Sequence, residues 1–113
     1  MPTRAVDPEV LAELLDTFGG DQSFVDEVVE AYLVDAERLV AEIVRCAGSD
    51  DVDGFRRATH TLKSTSATVG ALRLSAVCRD LELASADPAA VIDAGCLEAL
   101  AIESEGVARA LRR

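Results

Sequence analysis

The chain has 113 residues, is half apolar and carries a formal charge of −10. That length holds one core of ordinary domain size, spanning 1–113, and that apolar content excludes a disordered tail. The excess of acid repels phosphate backbones and excludes a nucleic-acid binder.

Alanine, valine and leucine dominate the apolar set, with three prolines and no tryptophan, so composition leans helical. The opening residues MPTRAVDPEV contain no apolar stretch of the kind a secretion signal needs. No run approaches the roughly 18 apolar residues of a membrane span. Cys46, Cys78 and Cys96 are widely spaced and odd in number, which suits reduced thiols packed in a core better than a disulfide framework. The expectation is a cytoplasmic monomer that needs neither membrane nor cofactor.

Five helices and no strand can be drawn. The first opens at Asp7-Pro8, carries Val10, Leu11, Leu14 and Leu15 on one stripe, and stops at Gly19-Gly20. The second runs from about Asp21 to Ala47, with Phe24, Val25, Val28, Val29, Tyr32, Ala36, Leu39, Val40, Ile43 and Val44 at helical spacing. The third starts at the acidic pair Asp50-Asp51 and ends at Gly70. The fourth covers Ala71 to about Ala86, with Leu74, Val77, Cys78 and Leu81 inward. The fifth opens at Asp87-Pro88 and runs toward Leu111, weakened at Gly95 and Gly106. Together they predict an all-α, antiparallel four-helix bundle, with the short additional N-terminal helix as a lid over one end.

Charge is unevenly placed along the chain. Between Gly54 and Arg79 there is no acid, while Arg56, Arg57, Lys63, Arg73 and Arg79 give that segment +5 and leave −15 for the remainder. The sole histidine, His60, and the sole lysine, Lys63, sit inside it, one turn apart. At about 100° per residue, Phe55, Leu62 and Val69 fall roughly 140–180° from His60, so the core lies behind the imidazole. Arg56, Lys63, Ser64 and Ala67 fall within about 60° of it, with Arg57 at that limit. A neutral imidazole is a nucleophile near neutral pH, and surrounding cations neutralise phosphoryl oxygens. The pattern therefore suits phosphoryl transfer at an exposed His60. A lone histidine on a helix is otherwise an ordinary polar surface residue.

The stretch His60-Thr-Leu-Lys-Ser-Thr-Ser-Ala-Thr-Val-Gly-Ala resembles the signature of histidine-containing phosphotransfer (HPt) domains: H-x-x-K-G/S, small residues, then an apolar-Gly-Ala/Leu end. Phe18-Gly19-Gly20-Asp21 looks like the family's entry into its long helix, and Leu74–Glu82 looks like its fourth helix. The resemblance covers essentially the whole chain. It implies that His60 is the phosphoacceptor and Lys63 the cation that stabilises the phosphoryl charge. It places Ser64 where many members have glycine, still leaving room for an incoming receiver domain that would meet Arg56, Arg57, Ser64 and Ala67. Glu82 falls where some members carry a polar side chain that orients the imidazole. A glutamate there could equally repel a phosphoryl group, and the plain alternative is a solvated helix residue. The implied partners are response-regulator receiver domains and hybrid sensor kinases. The receiver supplies the aspartate, a Mg²⁺ ion and most catalytic groups, so this chain is a phosphocarrier and not an enzyme, and it has no Gly-rich nucleotide loop. Two rivals stay open: an adaptor of the same shape that is never phosphorylated, and a metal bundle ligated by Cys46, Cys78, Cys96 and His60.

Overall fold

Four aspartates start four of the helices. In this computed structural model, which describes residues 4–87 and 92–112, Asp7, Asp21, Asp51 and Asp93 each accept a hydrogen bond from a backbone N–H two or three residues on. Each satisfies a donor that the first helical turn leaves without a partner. The helices are α1 (Pro8–Thr17), α2 (Gln22–Gly48), α3 (Val52–Thr68), α4 (Leu72–Ser85) and α5 (Ala94–Leu111). No strand occurs among the described residues.

Helices α2 to α5 form a closed ring. The most extensive contacts are α3 with α4 and α2 with α3, and α5 completes the circuit against α4 and α2. The core they enclose includes Ile43, Leu62, Leu74, Leu100 and Val107, all but fully buried. The all-α bundle with a short leading helix therefore matches expectation. Helix α1 leans on α2 and its start is tied to the α3–α4 turn, where the Asp7 N–H donates to the Gly70 carbonyl at 2.8 Å.

The structure refines the sequence reading at the α3 start and inside α5, and it moves the start of α5. The Asp50-Asp51 pair divides its labour: Asp51 caps α3, whereas Asp50 takes the left-handed conformation (φ 57°) that turns the chain between α2 and α3. Helix α5 starts at Asp93-Ala94, not at Asp87; Pro88 lies outside the described residues. The helix also runs unbroken through Gly106, because burying Leu100 and Val107 outweighs the glycine cost of about 1 kcal/mol.

Phe24 and Val44, assigned to the buried stripe of α2, are 45% and 44% exposed. At 27 residues α2 outruns the 17- and 18-residue helices α3 and α5 beside it. The ring of Phe24 lies 4.5 Å from that of Phe18, just beyond α1. Cys46 and Cys78 are buried and Cys96 is half-buried; all three are free thiols.

Gly70 holds the α3–α4 turn at φ 82°, and a Cβ there would meet the Asp7 carbonyl at 2.8 Å. Gly20 has a similar φ of 81° with open space around it. Gly20→Ala should therefore cost only the left-handed strain, about 1–2 kcal/mol. Gly70→Ala should cost clearly more, because it also pushes α1 off the turn. Urea denaturation of the two variants measures the difference, and equal midpoints would show that α1 yields freely.

Candidate functional site

The packing of α3 decides where its polar residues go. Phe55, Ala58 and Leu62 are buried along one side, so the 3.6-residue repeat turns His60 outward, with 59% of its side chain exposed. The buried side is not wholly apolar. Thr59 and Ser66 are fully buried, and sequence periodicity passed over both. The Thr59 hydroxyl donates to the Phe55 carbonyl at 2.9 Å, while Ser66 Oγ and Tyr32 Oη share a 2.9 Å bond between α3 and α2. Each thus satisfies its own hydrogen bonding inside the core.

Glu82, reaching across from α4, organises the outer side. Its Oε2 lies 2.7 Å from His60 Nδ1, and its Oε1 accepts from Lys63 Nζ at 2.6 Å. The carboxyl is held below its ordinary pKa range, chiefly by the bond from Lys63 and secondarily by that from His60, with partial burial opposing both. An ionised carboxylate only accepts, so the Nδ1 facing it carries the ring proton. The backbones are pinned along the same seam. Ser75 Oγ donates to the Lys63 carbonyl at 2.9 Å, and Ser85 Oγ donates to the Glu82 carbonyl at 2.6 Å. Cys78 sits beneath, its thiol pushed up to about 12 by burial and by the charge of Glu82, with Lys63 opposing. It stays a protonated core residue.

The other expected site residues divide into two groups. Ser64 and Ala67 are exposed on the His60 side, and Thr61 is exposed further round, toward the groove with α2. The hydroxyls of Thr61, Ser64, Thr65 and Thr68 each donate to the carbonyl four residues earlier, at 3.0–3.2 Å. A partner covering this strip would strand none of those donors. The cations are less available than the linear charge count suggests. Arg56 donates to the Ser85 carbonyl at the end of α4 (3.5 Å), Arg73 pairs with Glu103 of α5 (3.1 Å) and Arg79 with Asp80 (3.6 Å). Arg57 is exposed above a shallow groove shared with Leu39 and Glu42 of α2. The acid-free window in the sequence is thus partly neutralised in space by acids from α4 and α5. Among the described residues, no three potential metal ligands come together, and no helix is long and apolar enough to cross a membrane.

A depressed carboxyl contributes its stabilisation fully above the unfolded value of about 4.3 and loses it as pH falls through the folded one. The side-chain carbon of Glu82 should therefore titrate, by ¹³C NMR, at a lower pH than a solvated glutamate. In Lys63→Met the midpoint should rise; an unmoved midpoint would remove Lys63 as the main cause.

Comparison with known proteins agrees with this fold. The family model described as the Hpt domain matches residues 27–110. Histidine-containing phosphotransfer protein 2 of Oryza sativa subsp. japonica is 34% identical over 95 residues, which is 80% of this chain and 60% of that protein. The chain thus spans about three-fifths of that relative's length. Among solved structures, histidine-containing phosphotransfer protein B from Pseudomonas aeruginosa superposes with a TM-score of 0.88 at 19% identity, covering 98% of this chain and 94% of that one. The HPT domain from the Hpt sensor hybrid histidine kinase from Shewanella superposes with a TM-score of 0.72, also at 19% identity, covering 90% and 88%. At that identity the two structures speak for the fold, and the family follows from the matched model: this chain belongs to the Hpt domain family.

Proposed function

We propose that this protein carries a phosphoryl group on His60 between receiver-domain aspartates in a multistep two-component phosphorelay. The observation that supports this best is the 2.7 Å contact between His60 Nδ1 and Glu82, on an imidazole that is otherwise turned to solvent. With Nδ1 occupied as a donor, Nε2 is the nitrogen left with a lone pair for attack. In the transfer, that lone pair forms the N–P bond while the P–O bond to aspartate breaks and its electron pair leaves with the carboxylate. The ring ends as a phosphoimidazolium whose proton stays on Nδ1, hydrogen-bonded to Glu82, so no proton has to move. The reverse step follows the same path, and flow can run in either direction.

In this reading Glu82 is the imidazole orienter and Lys63 supplies positive charge to the site from one turn away. Arg56, Arg57, Ser64 and Ala67 form the surface that a receiver covers. The receiver contributes the phosphorylated aspartate, a Mg²⁺ ion and most catalytic groups, so the chain is a carrier rather than an enzyme. Its partners are response-regulator receiver domains and hybrid sensor kinases, which it meets as a cytoplasmic monomer. The strip beside His60 suits close approach because its side chains are small and its hydroxyls are already engaged.

His60→Gln should abolish phosphate uptake from a phosphorylated receiver and shift stability by no more than about 0.5 kcal/mol, since the ring is exposed. Radiolabel that is labile in acid and stable in base reads the first, and thermal melting reads the second. Wild-type protein that takes no label from a panel of phosphorylated receivers would favour an adaptor of the same shape. Ala67→Trp places a large ring in the approach path and should weaken receiver binding about tenfold or more, a loss of roughly 1.4 kcal/mol. Unaltered affinity by calorimetry would move the docking surface elsewhere.

A further inference from the structure

We propose that Lys63 acts on Glu82 rather than on the phosphoryl group: it cancels the charge of the carboxylate that orients His60, and the three side chains work as one neutral unit. This deepens the phosphocarrier reading and rests on it. The starting observation is that both oxygens of Glu82 are engaged, one by the imidazole at 2.7 Å and the other by the ammonium at 2.6 Å. A carboxylate is the stronger acceptor for Nδ1–H, but it also places a full negative charge beside the point where a dianionic phosphoryl group must arrive. A neutral acceptor would orient the ring without that repulsion. Retaining the carboxylate is workable only with a cation committed to it.

Lys63 is built for that commitment. Its side chain is only 29% exposed and Glu82 22%, whereas His60 is 59% exposed. The ammonium therefore lies in the α3–α4 seam, drawn toward α4, and not out where a partner would present phosphate. Ser75 holds the Lys63 backbone to α4 through its carbonyl, which fixes the base of the side chain in the same seam. The remaining charges near the seam do not take its place: Arg56 is turned to the Ser85 carbonyl, Arg79 to Asp80, and Cys78 below remains a neutral thiol. Lys63 is accordingly a positioning residue, and its effect on transfer passes through Glu82.

A double-mutant cycle on the full chain separates this from direct contact with phosphate. The variants are Lys63→Met, Glu82→Gln and their combination, with Lys63→Gln run in parallel. Initial rates of transfer from a phosphorylated receiver are measured at low and high salt. Lys63→Met should slow transfer about tenfold or more, because it leaves Glu82 uncompensated, and raising salt should recover part of the loss. Adding Glu82→Gln should also recover rate, so that the double variant is faster than Lys63→Met alone. A double variant slower than either single one, or a Lys63→Met loss of equal factor in both backgrounds, would show that Lys63 meets the phosphoryl group itself and would overturn the inference. Wild-type His60 that takes no phosphate would instead overturn the phosphocarrier reading, and this inference with it. Circular dichroism of each variant assigns any rate loss that comes from unfolding; if Lys63→Met unfolds, the Lys63→Gln series decides.

Discussion

The site depends first on the burial of one side of α3. A helix has 3.6 residues per turn, so packing Phe55, Ala58 and Leu62 against α2 and α4 leaves His60 nowhere to point but outward. The same packing sets the register between α3 and α4, and that register brings Glu82 under the imidazole. Core and site are therefore coupled: a shift of α4 along α3 by one turn, about 5.4 Å, would break both bonds of Glu82.

Glu82 changes the electrostatic character of the site. A bare histidine ringed by cations would rely on those cations alone. Here the ring is oriented by an anion, and the anion is held by the nearest cation at 2.6 Å. The surrounding positive charge is also partly spent within the fold, on Glu103, Asp80 and the end of α4. The surface around His60 is consequently closer to neutral than the linear charge count implies, and the threonine and serine hydroxyls of α3 are bonded back to the helix. Such a face can be covered and released at small cost in desolvation.

Much of this was legible in the chain itself, because the signals are local and periodic. Helix starts at Asp7, Asp21 and Asp51 follow from capping chemistry, and the apolar repeat of α3 predicts the outward His60. Where local signals compete, the reading slipped. Asp87-Pro88 reads as the start of α5, whereas the carboxylate that caps the helix is that of Asp93, which accepts from the Cys96 N–H. Phe24 and Val44 satisfy the apolar period of α2, yet that helix is longer than its neighbours and leaves them exposed.

By itself the sequence determined the helical class, the five segments, the acid-free belt and the one histidine on a solvent face, since each depends on residues within a turn or two of one another. Only the tertiary structure decided which acid meets which base. Glu82 is 22 residues from His60 and 19 from Lys63, and Glu103 is 30 from Arg73. Pairings of that kind depend on how two helices slide and rotate against each other. Buried side chains in close packing settle that register, and the linear order of charges carries no record of it.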